Sequence, residues 1–556
     1  MRGRAHLRWV VGVSALALTL AACGGDDGGE EGNGAAGGEG EATGGTYSLF
    51  ITQPENPLVP GNTNESEGSQ VIEALFTGLV EYNPETSEAE YTGVAESIES
   101  DDATNWTVTL KDGWTFHDGT PVTAESFVNA WNYTAYSPNA QGNAYFFSRF
   151  AGYEDLSGET DEEGNIISEP AAEEMSGLQV EDDLTFTVEL SEPYAQFPTT
   201  LGYNAYFPLP EAFFEDPEGF GEQPIGNGPF QAEEPFVEGQ GGTLTRYEDF
   251  AGEQPANADS LEIRVYTDVN TAYTDVQAGN LDIVDVIPPD AIGSAPDEFG
   301  DRFIERERSD ITLIWMPIYD ERFADVRVRQ AFSLAIDRAA ITEAVFNGTR
   351  EPAKSIISPV VAGAREDACQ YCDPDPERAN ELLDEAGFDR SQTLELWFNA
   401  GAGHDEWMQA VGNQIRENLG IEYTLRGDLE FAQYLPLIDE GNMTGPWRLG
   451  WIMDYPVAEN YLGPLFGTAA HPPAGSNGAF YSNEEFDSLI AEGNAADSED
   501  DAVAAYQQAE DIILEELPAI PMWFGLVQSV HSENIDNVII DAFGQIKTAQ
   551  VQVVGG

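Results

Sequence analysis

The segment from Trp447 to Asp454 places a cation, a glycine and a carboxylate within eight residues. It reads Trp-Arg-Leu-Gly-Trp-Ile-Met-Asp, and the even spacing puts Arg448 and Asp454 on one face of an extended strand. Gly450 permits another backbone to approach closely, and main-chain hydrogen bonds ignore side-chain identity. A carboxylate pairs with an ammonium group, and a guanidinium pairs with a carboxylate. These residue types could therefore hold an extended zwitterion.

Each candidate residue also has a purely structural interpretation. Asp454 could cap the Tyr-Pro turn that follows it, and Arg448 could form a salt bridge with one of the many acids. His404 could simply open a helix, and Trp451 could belong to the core. Tyr145 is a candidate aromatic wall from another part of the fold. The residues alone leave these alternatives open.

The composition excludes some classes of function. The 556 residues include 23 Lys and Arg against 100 Asp and Glu, a net charge of −77. A nucleic-acid partner is excluded because a phosphate backbone requires clustered cations. Hydrophobic residues make up 41% of the chain, enough for large cores, and about 150 residues per domain predicts three to four domains. The acidic surface favours solubility and does not indicate a particular fold.

The chain carries no common catalytic motif. Neither Gly-x-Ser-x-Gly, His-Glu-x-x-His nor a Walker Gly-Lys-Ser/Thr sequence occurs. Acidic pairs are too abundant to nominate two of them as a glycosidase dyad. We therefore expect no enzyme, no metal site and no cofactor.

The N-terminal sequence predicts export. Three arginines precede an apolar run over 9–22, which indicates a signal peptide at 1–22 that is too short to span a membrane. The run ends in Leu-Ala-Ala-Cys, which resembles a bacterial lipobox with Cys23 as the lipidated residue. The alternative is a plain secretory signal with an incidental cysteine. We expect a protein that is lipid-anchored on the outer face of the cell membrane. A flexible, acidic, Gly-rich linker at 23–45 would join the anchor to the fold.

The other two cysteines lie in the sequence Cys369-Gln-Tyr-Cys372. A single Cys-x-x-Cys without a second pair or nearby histidines is a weak zinc signal. No strand leads directly into a helix here, which disfavours a thioredoxin-like role. Outside the cell, a local disulfide is the favoured state.

From Thr46 onward, short strands and helices alternate without an internal repeat, which predicts an α/β fold. Trp106–Leu110 alternates as a strand, and Thr123 is the predicted N-cap of the next helix. Further predicted strands are 261–266, 281–284, 394–399 and 421–425. Further predicted helices are 268–279, a pair within 326–347, 376–387, 404–419, 485–494 and 501–516.

Taken in order, five blocks resemble the family-5 solute-binding proteins of ABC importers, the oligopeptide- and dipeptide-binding group. The resemblance runs from about Ser48 to the C-terminus. The blocks are 71–80, 106–124, 224–230, 328–338 and 375–387. They are mostly fold signatures, and the family also includes binders of nickel, haem and sugars. A non-peptide solute, such as an oligosaccharide, haem or a metal chelate, is therefore the alternative ligand.

The resemblance also implies roles for residues near the cleft. It implies that Asp454 takes the α-ammonium group of a peptide, and that Arg448 and His404 meet its C-terminal carboxylate. The residues whose backbone would pair with the peptide are Gly450, Trp451 and Ile452. Tyr145 would be a wall from the opposite lobe.

The implied architecture is a two-lobed periplasmic-binding-protein-like fold with an extra subdomain. We expect lobe I at 46–267 and 521–556, with a subdomain at 84–176, and lobe II at 268–520. The two hinge segments are predicted near Tyr266–Asn270 and Pro521–Leu526. An oligopeptide would bind between the lobes, and the closed monomer would then dock on a membrane permease.

Overall fold

The structure is a computed structural model that describes residues 44–160, 166–288, 290–401, 403–472, 475–496 and 498–554. The predicted signal peptide at 1–22, the predicted lipidation site Cys23 and nearly all of the predicted linker lie outside these residues. Within them, no helix is long and apolar enough to cross a membrane.

A mixed sheet of eleven strands runs through the described part of the chain. Its edge-to-edge order is Phe230–Ala232, Gly241–Arg246, Ser260–Val265, Thr46–Ile51, Ile283–Val284, Ala519–His531, Phe303–Trp315, Trp447–Trp451, Leu394–Asn399 and Tyr423–Leu429, with Arg350–Pro352 pairing on Ala519–His531.

Two neighbouring strands in the middle of this sheet have 13 residues each and are much longer than the others. We call Phe303–Trp315 the first crossing strand and Ala519–His531 the second. They pair antiparallel along their length, from Phe303 opposite Val530 to Trp315 opposite Ala519. The register shifts between Glu307 and Ile311, so the ladder is interrupted near its middle.

Smaller sheets flank the main one. A four-stranded antiparallel sheet has the order Ala95–Glu99, Asn105–Leu110, Thr185–Glu189, Leu178–Asp182. Three two-stranded sheets pair Glu81–Tyr82 with Ala89–Glu90, Glu159–Thr160 with Ile166–Ser168, and Ile535–Asp536 with Gln552–Val553.

The described residues also form α-helices. They are Ser66–Leu75, Ala124–Ala135, Phe197–Thr200, Glu211–Glu215, Pro217–Phe220, Val269–Ala278, Ala295–Phe299, Val326–Leu334, Arg338–Phe346, Pro376–Ala386, Asp405–Leu419, Phe431–Asp439, Gly463–Phe466, Glu484–Asn494 and Glu499–Glu516.

Local capping chemistry explains why the predicted helices begin and end where they do. Thr123, the predicted N-cap, forms a capping box with Ser126 at the start of Ala124–Ala135. The Asp375 side chain accepts from the Arg378 N–H at the start of Pro376–Ala386. That helix ends at Gly387, whose φ of 70° is readily adopted only by glycine.

The segment Val269–Phe299 packs against the strand Thr46–Ile51 and the second crossing strand. Its apolar side chains form a cluster with Phe50 on one strand and Val530 on the second crossing strand. This packing favours a lobe boundary within the first crossing strand rather than at the expected Tyr266–Asn270. Periodicity alone suggested 268 because a helix begins there, but the following strand, Ile283–Val284, pairs back onto Leu49 and His531. We therefore propose that lobe II begins at Phe303–Trp315, with the second crossing near the predicted Pro521–Leu526.

The cysteine pair is joined as predicted. Cys369 and Cys372 form a disulfide with their Cα atoms 5.5 Å apart, and both are buried. The Cys372 carbonyl accepts a hydrogen bond of 2.7 Å from Nη1 of the buried Arg338. The disulfide thus fixes a loop that supplies an acceptor to a buried cation.

Candidate ligand-binding cleft

A cavity of about 510 Å³ opens between elements on either side of the crossing strands. Its lining mixes charged, polar and aromatic side chains with exposed backbone. One side contributes Asn64, Glu65, Ser66, Ser69, Glu73, Tyr82, Tyr145, Gly202, Tyr203, Asn204, Phe543 and Gln545. The other side contributes Arg308, Asp310, Ile311, Thr312, Phe431, Arg448, Leu449, Gly450, Trp451, Ile452, Met453 and Asp454.

The strand Trp447–Trp451, which we call the cleft strand, presents an incompletely paired edge. It pairs antiparallel with the first crossing strand over its whole length, from Trp447 opposite Trp315 to Trp451 opposite Ile311. On its other edge only Trp447 has a partner among the described strands, Trp397. The remaining edge faces the cavity and can accept an added strand.

Gly450 lies in the middle of this strand against the neighbouring backbone. A Cβ atom built there would lie 3.0 Å from the Ile311 carbonyl oxygen and 3.3 Å from Arg448 Nη2. A larger residue would push the strand from its partner or push the Arg448 guanidinium aside. The glycine therefore keeps both the strand pairing and the guanidinium in place.

Asp454 lies just beyond the strand, in a turn that is organised by Asn460. The Asp454 N–H and the Trp451 indole N–H donate to Asn460 Oδ1 at 2.9 and 3.0 Å. The Asn460 amide in turn donates to Asp454 Oδ2 at 3.1 Å. No described residue donates to the other carboxylate oxygen, Oδ1. The carboxyl group is thus held in position with one oxygen free.

Burial raises the pKa of Asp454 to about 7, although the hydrogen bond from Asn460 lowers it and the nearby Glu459 raises it further. Removal from water disfavours the charged form unless a cation pairs with it. A ligand ammonium group would supply that cation.

Arg448 faces the cavity from the other end of the cleft strand. Its Nη1 lies 3.5 Å from Asn399 Oδ1, at the limit of a hydrogen bond, and its Nε is buried without a partner. Burial lowers the pKa of Arg448, which remains protonated at neutral pH. Its backbone carbonyl accepts a hydrogen bond of 2.9 Å from the Tyr434 hydroxyl. The guanidinium is therefore a fixed cation with free donors.

His404 is not among the residues that line the cavity. It precedes the helix Asp405–Leu419, and its Nδ1 accepts a 3.2 Å hydrogen bond from the Trp407 indole. Burial and the nearby Arg448 lower the pKa of His404 to about 3, so the ring is neutral at pH 7. It could act only as a neutral donor, through a buried Nε2 that has no partner. Its expected role toward a carboxylate stays a prediction.

Three large apolar side chains that line the cavity are exposed to solvent: Tyr145 at 49%, Phe431 at 44% and Ile452 at 42%. Tyr145 packs on Phe146 with ring centroids 4.3 Å apart, and Phe146 stacks on Tyr203 at 4.5 Å. The structure thus brings Tyr145 to the same cavity as Arg448, Gly450, Trp451, Ile452 and Asp454. A ligand in the cavity would cover these exposed surfaces.

Sequence reasoning missed several lining residues. Tyr82, Tyr203 and Phe431 come from distant segments, and no local pattern marked them. Arg308 and Asp310 lie in the run Arg-Glu-Arg-Ser-Asp on the first crossing strand. Charges alternating along a strand in the middle of a sheet are the signal that could have identified them.

The described residues contain no cluster of three or more His, Cys, Asp or Glu side chains able to hold a metal ion. The donors around the cavity are instead two arginines, carboxylates that do not converge, and hydroxyl groups. Such a set suits an organic ligand with charged ends.

The profile of the bacterial extracellular solute-binding proteins, family 5 Middle, matches residues 91–472, more than half of the chain. The chain belongs to this family. Solute binding is accordingly its activity.

Two curated relatives cover most of the chain. The oligopeptide-binding protein OppA of Bacillus subtilis (strain 168) is 26% identical over 565 residues, 97% of this chain and 98% of the relative. The periplasmic murein peptide-binding protein MppA of Escherichia coli (strain K12) is 27% identical over 464 residues, 82% of this chain and 83% of the relative.

Solved structures share the fold. The unliganded open form of the murein tripeptide-binding protein MppA superposes with a TM-score of 0.76 at 23% identity, covering 93% of this chain and 98% of the other. The complex of Haemophilus influenzae OppA with RPPGFSPFR gives 0.71 at 21% identity, covering 92% and 99%. The predicted two-lobed α/β fold is confirmed.

Proposed function

We propose that this family-5 solute-binding protein captures oligopeptides in its cleft and delivers them to the permease of an ABC importer. One observation carries the proposal. The free edge of the cleft strand lies between a half-buried carboxylate, Asp454, that has no cation partner among the described residues and a half-buried guanidinium, Arg448, that has no anion partner among them. A peptide is an extended main chain with an ammonium group at one end and a carboxylate at the other.

In this arrangement the ligand adds a strand to the edge at Gly450–Ile452, and Asp454 fixes its register through the α-ammonium group. Arg448 lies six residues earlier in the chain, on the cleft strand, whereas Asp454 lies in the turn beyond Trp451. Trp451 and Tyr145 would form walls of side-chain pockets.

A non-peptide solute on the same fold is the second candidate. Relatives include a probable deoxycholate-binding periplasmic protein, YgiS, of Escherichia coli (strain K12). A ligand without a cation would leave the Asp454 carboxylate buried and unpaired, which is costly. The opposite charges at the two ends of the cleft strand therefore favour the peptide.

Isothermal titration calorimetry of the purified protein with a library of short peptides tests the proposal. We expect heat with peptides that have both free termini. Heat with oligosaccharides, haem or metal chelates, and none with any peptide, would remove the peptide assignment.

Replacing Asp454 by alanine gives a sharper test of the anchor. We expect Asp454→Ala to weaken peptides with free N-termini by about tenfold or more, because a charge-assisted hydrogen bond is lost. N-acetylated versions of the same peptides should lose little. Asp500→Ala, on an exposed part of the last helix, controls for the change in net charge. Equal weakening of both peptide series would contradict the assigned role.

We further propose that residues 1–22 direct export and that Cys23 carries the lipid anchor, which places the protein as a monomer on the outer face of the membrane. The Leu-Ala-Ala-Cys sequence and the linker at 23–45 support this proposal. Cys23→Ser should release the protein from the membrane fraction into the medium. Retention of the variant on the membrane would refute the anchor.

A further inference from the structure

Two arginines of this acid-rich chain lack a close hydrogen-bond acceptor. Among the arginines in the described residues, all but Arg308 and Arg448 have a side-chain hydrogen bond of 3.3 Å or shorter. Arg448 has only its 3.5 Å approach to Asn399. Arg308 has only Asp310, with Nε 3.8 Å from Oδ1 and outside hydrogen-bond distance. Both Nε atoms are buried without a partner, and both residues line the cavity.

Arg448 has no carboxylate within salt-bridge distance among the described residues, and Arg308 has Asp310 at 3.8 Å, too far for a hydrogen bond. The 100 Asp and Glu residues offer many acceptors, and exposed arginines such as Arg378 form salt bridges with them. Arg308 has a side chain only 31% exposed, so its guanidinium is largely withdrawn from water. An unsatisfied, partly buried cation costs free energy until an anion reaches it.

The two arginines come from different elements. Arg448 belongs to the cleft strand, whereas Arg308 lies on the first crossing strand at the interrupted part of the ladder. The Arg308 side chain also approaches the C-terminal segment, since a Cβ atom at Gly544 would lie 3.3 Å from its Nε. An anion held by Arg308 would therefore be a contact separate from the one at Arg448.

The carboxylates that line the cavity do not satisfy these arginines. Glu73 pairs with Lys547 at 3.1 Å, and Glu65 accepts the Glu55 N–H at 3.1 Å. Asp454 is assigned to the ligand ammonium group. Asp310 remains, with one oxygen buried and without a hydrogen bond. The half-buried Asp285 is also close enough for the Arg308 charge to lower its pKa, which burial raises to about 6. Arg308 therefore has two nearby carboxylates but donates a hydrogen bond to neither.

We propose that Arg308 forms a second anion subsite of the cleft, separate from Arg448, and selects peptides that carry an aspartate or glutamate side chain. The inference rests on the proposed peptide-binding function and names the ligand class for it. Arg448 takes the terminal carboxylate, and Arg308 takes the acidic side chain through its free N–H donors.

Calorimetry with three matched series of four-residue alanine peptides tests this subsite. Glutamate, glutamine or lysine is placed at each position in turn. At one position we expect glutamate to bind about 10- to 100-fold more tightly than glutamine, the range for a hydrogen-bonded charge. Lysine should bind most weakly there.

Two variants locate the effect. Arg308→Gln and Arg308→Met should both reduce the glutamate-to-glutamine ratio to near one, while the affinity for the glutamine peptide stays within about threefold. The glutamine peptide reports that each variant is folded, and Met retains the apolar stem if Gln disturbs the strand. Arg378→Gln, on an exposed helix, removes the same charge and should leave the ratio unchanged.

The outcomes distinguish a failure of the Arg308 subsite from a failure of peptide binding itself. Equal binding of glutamate and glutamine peptides at every position, tighter binding of lysine, or an unchanged ratio in both Arg308 variants would each overturn the subsite while peptide binding stands. Failure of every peptide to bind would overturn the proposed function and this inference with it.

Discussion

Asp454 is the residue whose ionisation most directly controls the cleft. Burial raises its pKa to about 7, so the empty site is partly protonated at neutral pH. An ammonium group binds only the carboxylate form, and ligand binding must therefore displace the proton below pH 7. The α-ammonium of a peptide itself loses its charge above about pH 8.

Peptide affinity should consequently pass through a maximum between about pH 7 and pH 8. Below about pH 6 we expect it to fall by roughly tenfold per pH unit, because Asp454 is protonated in the empty site and must release that proton. Calorimetry across the pH range measures the profile.

Two controls isolate the carboxyl group in this profile. N-acetylated peptides should show no fall on the acidic side, and Asp454→Asn should flatten it for all peptides. A wild-type affinity that is constant from pH 5 to 7 would rule out Asp454 as the ammonium site.

At this scale the sequence predicted the residues that lie on one short segment. Arg448, Gly450 and Asp454 lie close together in the sequence and all three line the cavity, although the strand ends at Trp451 and Asp454 lies in the turn beyond it. The role of His404 stays a prediction, because its ring accepts a hydrogen bond from Trp407 and is not part of the cavity lining. Arg308 was missed because its relation to the cavity depends on a long-range pairing that periodicity does not reveal.

At the scale of elements, the cleft strand combines one paired edge with one edge that faces the cavity. Its geometry depends on Gly450, where a Cβ atom would come within 3.0 Å of the Ile311 carbonyl oxygen. Any added side chain must shift either the strand or the Arg448 guanidinium. Both shifts would change the surface that a ligand strand meets.

Gly450→Ala should therefore weaken all peptides by about tenfold, whatever their side chains, because a shift of the strand affects every main-chain hydrogen bond. Calorimetry with several unrelated peptides measures the effect. Gly293→Ala is the matched control, since a Cβ atom there meets no other atom within 4 Å. Weakening that is confined to one peptide sequence would show that Gly450 shapes a side-chain pocket instead.

Most helices and short strands were predictable because their caps and periodicities are local. The predicted strand at Trp106–Leu110 and helix after Thr123 are confirmed, with boundaries that differ by no more than one residue. The crossing strands were harder. Phe303–Trp315 contains Glu-Arg-Glu-Arg-Ser-Asp, which lacks strand-like hydrophobic alternation, and its pairing with Ala519–His531 depends on residues about 200 positions away.

At the scale of the whole molecule, an ion pair joins the early part of the chain to the turn beside Asp454. Arg149 Nη2 lies 2.8 Å from Oε1 of Glu459, whose side chain is only 1% exposed. The Tyr455 and Tyr194 hydroxyls also donate to the other oxygen of Glu459, at 3.0 and 3.4 Å. This network connects residues more than 300 positions apart and lies next to the ligand anchor.

Arg149→Met should lower the free energy of unfolding by about 1–3 kcal/mol, because Glu459 would be left buried without its cation. The Arg149 side chain is itself 37% exposed and two tyrosine hydroxyls still donate to Glu459, so the loss is smaller than for a fully buried pair. Urea unfolding measures the loss. Arg378→Met, which removes an exposed arginine whose partner Glu381 is 58% exposed, should cost about 1 kcal/mol or less. The double variant Arg149→Met/Glu459→Gln should recover much of the stability. Equal losses for Arg149→Met and Arg378→Met would show that this pair contributes no more than a surface pair.

The free edge of the cleft strand has a practical consequence for purification. Backbone recognition accepts many sequences, so growth medium rich in protein digests offers a large pool of competitors. Material isolated from such medium should carry a heterogeneous cargo, visible by native mass spectrometry as a series of added masses. Titrations would then report displacement, and unfolding, dialysis and refolding would be needed before intrinsic dissociation constants could be measured.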